Sequence, residues 1–219
     1  LYNRGVSRYT HNLARALVNQ PEVHVTLFGY SFKQKNKLQQ SANQIPFAQQ
    51  KFLSLPVGIM EKLWQFGFNP VNKHVKNMDV FHSWDWMQPP DTTLPIVSTI
   101  HDLAILKYPE SAHPTIVKAH EKSWERLKKN NSHIIAVSQA TKTDIVRLLG
   151  YPSYMVHVVH EALPNEFLVT ANSVTEEIEA SVLQQLELNK PYILFVGTQE
   201  TQKNLANLIS AWQPLAQEY

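Results

Sequence analysis

Residues 97–110 read VSTIHDLAILKYPE and carry the first strong indication of the fold. The run Ile96–Ile100 is a β-type run with apolar residues at 96, 97 and 100 and β-branched residues at four of its five positions, which is typical of a buried strand. It stops on His101 and Asp102 instead of on a turn residue. Open α/β sheets bind ligands at the carboxyl ends of their strands, so this pair occupies a position where ligand contacts are expected.

Helical and strand patterns alternate on both sides of this stretch. The segment 33–50 is rich in Gln, Lys and Asn, which predicts a solvated, mobile loop or a marginal helix. The β and α alternation predicts a parallel sheet covered by helices on both faces, a doubly wound α/β domain. The predicted elements are helix 5–19, strand 23–27, helix 59–68, strands 78–81 and 96–100, helix 114–130, strand 133–137, helix 139–149 and strand 155–159.

The patterns divide the chain into a large first domain, a connection and the start of a second α/β domain. Residues 1–168 form the first domain, and residues 169–190 are an acidic, helical connection. Residues 191–219 open with a buried-type strand over 192–196, followed by a loop and a helix from Leu205.

The composition is that of a globular protein with a sizeable core, because 43% of the 219 residues are hydrophobic. A formal charge of +2 gives no basic footprint for nucleic acid. The absence of cysteine excludes disulfides and thiolate metal sites and fits a reducing compartment. No apolar run approaches the roughly 18 residues of a membrane span. The chain opens at Leu1 and closes at Tyr219 inside a predicted helix, so we expect a piece of a longer protein.

His101 and Asp102 are the candidate catalytic pair. An imidazole and a carboxylate at a strand end have the chemistry to hold a sugar hydroxyl or a phosphate, with the carboxylate orienting the ring. The alternative is an aspartate that caps the following turn beside an incidental histidine. The residues themselves favour neither interpretation.

Two predicted helix starts are candidate phosphate contacts. Gly5 and Val6 open the first helix, where backbone N–H groups and the helix dipole favour an anion and glycine permits close approach. One glycine is weak evidence, so an ordinary helix start is favoured there. Ser138 follows the strand 133–137 directly, where an N-cap is favoured, although a cap at a strand end can also contact ligand.

Residues 82–86, HSWDW, follow the predicted strand 78–81 at another strand end. Aromatic faces mixed with polar groups are common on carbohydrate-binding surfaces, so His82, Trp84 and Asp85 are candidate acceptor contacts. A core aromatic cluster is an equally weighted alternative.

Lys203 and Asn204 lie between the predicted strand 192–196 and the next helix, a natural place for phosphate. An exposed lysine is the alternative. No metal site is predicted, because the His-Glu pairs at 120–121 and 160–161 lack the second histidine of the H-E-x-x-H pattern.

Five segments follow one another in an order that indicates a family. They are GVSRYTHNLARAL (5–17), PIVSTIHDLAILKYPE (95–110), IIAVSQATKTDIVRLLG (134–150), VHVVHEALPNEF (156–167) and YILFVGTQETQKNLANLISAW (192–212). In this order they resemble the family 4 (group 1) glycosyltransferases of the GT-B fold. The resemblance implies a Rossmann-like acceptor-side domain followed by the beginning of a second, donor-binding Rossmann-like domain.

The resemblance also implies roles for particular residues. Gly5 and its neighbours and Lys203 would lie near the donor pyrophosphate, and His101 would lie near the transferred sugar. The implied sites are catalytic His101 and Asp102, donor- or phosphate-binding Gly5, Val6, Ser138, Lys203 and Asn204, and acceptor-binding His82, Trp84 and Asp85.

Three departures from the family pattern accompany these roles. Gln202 occupies a position where the family usually carries arginine, so one phosphate-binding cation is missing there or supplied elsewhere. The strand that should precede Gly5 is not in the sequence. The paired glutamates that hold the donor would lie beyond Tyr219.

The implied reaction is transfer of a sugar from a nucleotide-sugar donor to the hydroxyl of a glycan or lipid-linked acceptor, with retention of configuration. The leaving phosphate accepts the proton, so no protein base is obligatory and the protein positions groups and stabilises charge. No D-x-D sequence is present, which predicts metal independence and no cofactor.

The alternatives are a nucleotide-sugar epimerase of the same fold and a non-catalytic sugar- or nucleotide-binding fragment. The 219 residues are expected to be inactive on their own. No nucleic-acid partner is expected. A cytoplasmic location is expected, with peripheral contact to the inner membrane surface and the oligomeric state left open.

Overall fold

The computed structural model describes residues 5–199 and 203–215, and the chain forms two compact units, Leu1–Glu161 and Ala162–Tyr219. Among the described residues, every pairing between strands of the first unit is parallel, which confirms the predicted α/β architecture. The strands are β1 (Thr26–Tyr30) and β2 (Gln49–Leu53), which form one sheet, and β3 (Phe81–Ser83), β4 (Ile96–Ile100), β5 (His133–Ala136) and β6 (Val156–Val158), which form a second sheet in the order β3-β4-β5-β6.

Helices of the first unit connect β1 to β2, β4 to β5 and β5 to β6 as crossovers between parallel strands, another helix connects β2 to β3, and the first helix precedes β1. They are α1 (Gly5–Leu17), α2 (Lys35–Ala42), α3 (Val57–Gln65), α4 (Ala104–Lys107), α5 (Pro114–Lys129) and α6 (Gln139–Leu149), with short 3₁₀ turns at Val71–Lys73, Pro109–Ser111 and Ser153–Met155.

Helix α6 shows how local sequence sets both ends of an element. Ser138 Oγ accepts a hydrogen bond from the Thr141 backbone N–H at 3.0 Å and caps the first turn. Gly150 ends the helix with φ 61°, a left-handed conformation that glycine adopts without strain. The cap interpretation of Ser138 is therefore confirmed.

The main core lies around β4, which is paired on both sides. Ile100 and Ile134 of the sheet are fully buried, and Leu127 of α5 and Ile145 of α6 pack into the same cluster. Tyr151 belongs to it too, and its hydroxyl donates hydrogen bonds to the carbonyl oxygens of Leu127 and Ser132. Burial on both faces agrees with the apolar residues Ile96, Val97 and Ile100, and Ser98 and Thr99 of the same strand are buried as well.

A second core connects the two sheets through α3. Met60 and Trp64 of α3 are buried, and Phe28 of β1 and Phe81 of β3 pack against that cluster. The ring of Phe28 lies 6.4 Å from Trp64 and 6.3 Å from Phe81, measured between centroids. Residues of both sheets therefore share one apolar cluster.

Two predicted strands lie at different residues in the structure, and one observed strand was not predicted. The strand predicted at 23–27 is β1, three residues later, and the strand predicted at 78–81 is β3, whose Phe81 pairs with Ile96 at the start of β4. The segment 33–50, for which a solvated loop or a marginal helix was predicted, contains the helix α2 and the beginning of β2. Pairing with β1 stabilises β2 although QQKFL has little strand propensity.

The described residues of the second unit are helical apart from their connections. The helices are α7 (Asn165–Asn172), α8 (Glu176–Gln185) and α9 (Leu205–Leu215). The strand predicted over 192–196 is not formed, and Leu194 and Val196 are 74% and 84% exposed. A parallel strand needs neighbouring strands to satisfy its backbone groups, and the described part of this unit supplies none.

Candidate active site

The larger sheet brings several polar side chains to one edge. Because β3, β4, β5 and β6 are parallel, their carboxyl ends meet at the same edge. His101 follows β4, Ser138 lies two residues after β5, and Glu161 lies three residues after β6. His82 lies inside β3, one residue before its end, and not after the strand as predicted.

His101 and Glu161 form one histidine–carboxylate pair, called the exposed pair below. His101 Nδ1 lies 3.2 Å from Glu161 Oε1, and the side chains are 22% and 46% exposed. The Tyr9 ring meets the imidazole edge to face, with centroids 5.0 Å apart. Thr141 Oγ1 donates a hydrogen bond to the His101 carbonyl oxygen at 3.2 Å. Side chain and backbone of His101 are therefore both held.

Asp102 has a structural role that the sequence left open. Its Oδ1 accepts a hydrogen bond from the Ala104 backbone N–H at 2.8 Å at the start of α4. The turn-capping interpretation therefore holds for this oxygen. The carboxylate also acts electrostatically on two mostly buried groups, Asp85 and His120.

Asp85 and His120 form a second histidine–carboxylate pair, called the buried pair below. Asp85 Oδ2 lies 3.7 Å from His120 Nδ1, and the side chains are 12% and 16% exposed. Burial, assisted by the charge of Asp102, raises the pKa of Asp85 from 3.8 to about 7. Burial lowers the pKa of His120, and the charge of Asp102 partly offsets this. His120 Nδ1 has no hydrogen-bond partner among the described residues.

Two tryptophans line the approach to the buried pair. Trp84 and Trp86 are 38% and 37% exposed, and their rings meet at 64° with centroids 4.6 Å apart. The ring of Trp86 lies 6.4 Å from that of His120. More than a third of each of these residues is exposed, so neither tryptophan is fully buried in a core cluster.

His82 takes part in a hydrogen-bond chain that leads to α1. Thr99 Oγ1 lies 2.8 Å from His82 Nε2 and 3.1 Å from the Tyr9 hydroxyl. Burial lowers the pKa of His82, which favours a neutral ring. These hydrogen bonds link the end of β3 to Tyr9, which packs on His101.

A buried amide holds the segment that carries Asp85 and the tryptophans. Gln88 Oε1 accepts from Ser83 Oγ at 2.5 Å, and its Nε2 donates to the Trp84 carbonyl at 2.5 Å and to Ser123 Oγ at 3.0 Å. Ser123 Oγ in turn donates to the Asp85 carbonyl at 2.5 Å. Helix α5 is thereby tied to the segment after β3.

The predicted phosphate contacts of the first unit lie at two helix starts. Gly5 is exposed at the start of α1 with open space around it, and Val6 is half-buried, its carbonyl accepting from Thr10 Oγ1 at 2.9 Å. Ser138 caps α6, as described above. Their role toward a donor stays a prediction.

Lys203 and Asn204 belong to the second unit. Both are exposed immediately before α9, and the Asn204 carbonyl accepts from the backbone N–H groups of Asn207 and Leu208. Gln202, which stands where an arginine was expected, lies outside the described residues.

The described residues contain neither a metal-ligand cluster nor a membrane-spanning helix. Within 5–199 and 203–215, no three His, Asp or Glu side chains are grouped to hold a metal ion. None of the helices in these ranges is both long and apolar enough to cross a lipid bilayer. Metal independence stays a prediction.

Sequence reasoning missed Glu161, His120, Tyr9 and Thr99 as members of this site. His120 and Glu161 were considered only as parts of failed metal patterns. One signal could have found Glu161, since it follows the predicted strand 155–159 as His101 follows β4. His120 lies on α5 and comes to Asp85 only through tertiary packing.

Comparison with known proteins agrees with this architecture. The model of Glycosyltransferase Family 4 matches residues 3–166, and the chain therefore belongs to this family. It is 31% identical over 123 residues to O-antigen chain mannosyltransferase B of Escherichia coli, an alignment covering 56% of this chain and 31% of that relative. The aligned part thus spans about a third of that relative's length. No solved structure matches.

Proposed function

We propose that the chain serves a glycosyltransferase that moves a sugar from a nucleotide-sugar donor to the hydroxyl of a glycan or lipid-linked acceptor, with retention of configuration. The observation that carries this proposal is one sheet edge of a family 4 domain with two histidine–carboxylate pairs and two exposed tryptophans beside it. Hydroxyl-binding groups next to open aromatic faces suit a carbohydrate.

The proposed reaction needs positioning more than a protein base. The acceptor hydroxyl oxygen forms a bond to the anomeric carbon while the bond to the departing phosphate breaks, and the hydroxyl proton passes to a phosphate oxygen. His101 and Asp102 act beside the transferred sugar, and orientation lowers the barrier. Trp84, Asp85 and His82 serve the acceptor.

Donor binding is assigned to cations and helix starts. Lys203 offsets the charge that develops on the departing diphosphate, with Asn204 beside it, and Gly5, Val6 and Ser138 offer helix N-termini. No metal ion takes part in this proposal.

Mannose is the proposed sugar, and a bacterial surface-glycan intermediate is the proposed acceptor class. The support is the name of the Escherichia coli relative, which is 31% identical over 123 residues. In this proposal the protein acts in the cytoplasm, at the inner membrane surface when its acceptor is lipid-linked.

The test is a transfer assay of the full-length transferase that contains these residues, with a panel of nucleotide-activated sugars that includes activated mannose, run with and without a chelator. We expect a glycan lengthened by one mannose, with the donor's anomeric configuration by NMR and unchanged yield under chelation. Donor conversion without an acceptor would show an epimerase instead. An inverted linkage would contradict retention, and loss of yield with chelator would contradict metal independence.

A further inference from the structure

We propose that Glu161 fixes the proton of the neutral His101 ring on Nδ1, so that Nε2 offers a lone pair to a sugar hydroxyl. Glu161 is thus a positioning residue for His101, and His101 recognises an O–H group and not a phosphate oxygen. This inference rests on the proposed function for the identity of the ligand. The histidine tautomer itself is independent of it.

Glu161 and His101 are in contact through a carboxylate oxygen and a ring nitrogen. Glu161 Oε1 lies 3.2 Å from His101 Nδ1. A carboxylate only accepts hydrogen bonds, whereas each nitrogen of a neutral imidazole either donates or accepts. The contact is therefore a hydrogen bond only when the proton is on Nδ1, and the partner of one ring nitrogen decides the state of the other.

The backbone that carries Glu161 is held in place. Its strand ladder continues past β6, because the Val159 N–H donates to the Ala136 carbonyl at 3.0 Å. The next side chain is held as well, since His160 Nδ1 lies 3.2 Å from the Val137 carbonyl oxygen. Glu161 thus extends from a backbone anchored to the end of β5, and we expect Glu161→Met to keep the surrounding fold.

The His101 ring is held in a fixed position. Tyr9 packs edge to face on it, and Thr141 holds its carbonyl oxygen. Among the described residues, Nε2 has no hydrogen-bond partner, and 22% of the side chain is exposed. A held ring with one free nitrogen is suited to a ligand.

The state of His101 Nε2 decides which class of ligand it can bind. An unprotonated Nε2 accepts a hydrogen bond, and sugar hydroxyls are donors. The oxygens of an ionised diphosphate are acceptors, and they are not attracted to this nitrogen. His101 therefore contributes to sugar recognition, and phosphate recognition is left to other groups.

The first experiment measures the tautomer directly in the full chain. Two-bond ¹H–¹⁵N spectra are recorded at about pH 8, above the ordinary imidazole pKa, with His101 assigned by its loss in His101→Gln. We expect the Nδ1–H form in the parent and a shift toward Nε2–H in Glu161→Met. Glu125→Met removes an exposed glutamate of α5 and serves as the matched control, with no change expected. An Nε2–H parent, or no shift in Glu161→Met, would overturn the proposal.

The second experiment measures turnover of the full-length transferase that contains these residues. We expect Glu161→Met to lower kcat about tenfold with little change in the donor KM, and Glu161→Gln to recover part of the loss because its amide oxygen still accepts from Nδ1–H. If the proton moves while kcat is kept, the hydroxyl role of Nε2 is overturned. A parent that transfers no sugar would instead overturn the proposed function, while the tautomer result would stand.

Discussion

The exposed pair and the buried pair contain the same two chemical groups in opposite surroundings. In the exposed pair, Glu161 is 46% exposed and lies at hydrogen-bond distance from His101. In the buried pair, Asp85 is 12% exposed and lies 3.7 Å from His120, beyond a normal hydrogen bond. Burial raises the pKa of Asp85 to about 7.

Because the two pairs differ in exposure, they suit two different tasks at the same sheet edge. The exposed pair has a held ring and an ionisable partner in contact with solvent, so it suits orientation of a reacting group. The buried pair holds a carboxyl group that changes charge near neutral pH and lies beside open tryptophan faces. It suits recognition of an acceptor, with a strength that depends on pH.

The largest effect is expected from removing the imidazole of the exposed pair. In the full-length transferase, on which all turnover is measured, His101→Ala should lower kcat about a hundredfold, near 3 kcal/mol, because a hydrogen bond made in the transition state is lost. Nucleotide binding should change little, as titration calorimetry with the nucleoside diphosphate can show. His24→Ala removes an exposed histidine far along the chain and serves as the control. Near-normal turnover of His101→Ala would remove the exposed pair from the reaction.

The next effect tests whether phosphate is handled apart from both pairs. Lys203→Gln should lower turnover about thirtyfold, near 2 kcal/mol, because the diphosphate loses a cation. Lys203→Arg should keep part of the activity, since the charge survives while the geometry changes. Gln202→Arg should be neutral or mildly activating. Steady-state kinetics with chelator present decide this, with Lys190→Gln as the control, and parental turnover in Lys203→Gln would make Lys203 an ordinary surface residue.

The elements that the sequence predicts well are those with local determinants. Helix α6 and strand β4 have their predicted bounds, because a serine cap begins the helix, a left-handed glycine ends it, and four of the five strand residues are β-branched. Strand β2 was missed because only its pairing with β1 makes QQKFL extended. The strand predicted at 192–196 is absent because apolar residues do not form a strand without neighbouring strands.

The same distinction between local and long-range determinants applies to the residues of the site. His101 was found from its position after a strand, which is a local property. The two pairs were not, because Glu161 lies 60 residues from His101 and His120 lies 35 residues from Asp85 in the sequence. Contacts of such separation arise from sheet order and helix packing, and no short motif contains them.

The third effect concerns the stability of the buried pair. The rise in the pKa of Asp85 from 3.8 to about 7 means that the native state holds this proton to a higher pH than the unfolded chain. The contribution of Asp85 to stability therefore falls as pH rises from about 4 to about 7 and is constant above that. Asp85→Asn removes this dependence.

Denaturant unfolding at about pH 4.5 and about pH 8 measures the difference. At about pH 8, Asp85→Asn should be more stable than the parent by about 2 kcal/mol, half of the largest value that the pKa change allows. The gain should shrink at the lower pH. Asp79→Asn alters an exposed aspartate and should show neither effect. An equal gain at both pH values would show that Asp85 titrates normally.

The smallest effect should come from the aromatic face beside the buried pair. Trp86 packs near His120 and 37% of its surface is exposed, so it can cover one face of an acceptor sugar without touching the exposed pair. Stacking on an aromatic ring contributes about 1 kcal/mol, so Trp86→Ala should raise the acceptor KM about fivefold and leave kcat and the donor KM nearly unchanged. Trp86→Phe should keep most of the affinity because it keeps an aromatic face. Phe66→Ala removes a 71% exposed ring after α3 and serves as the control. If Trp86→Ala lowers kcat as His101→Ala does, the two pairs act as one unit and the division of tasks between them is wrong.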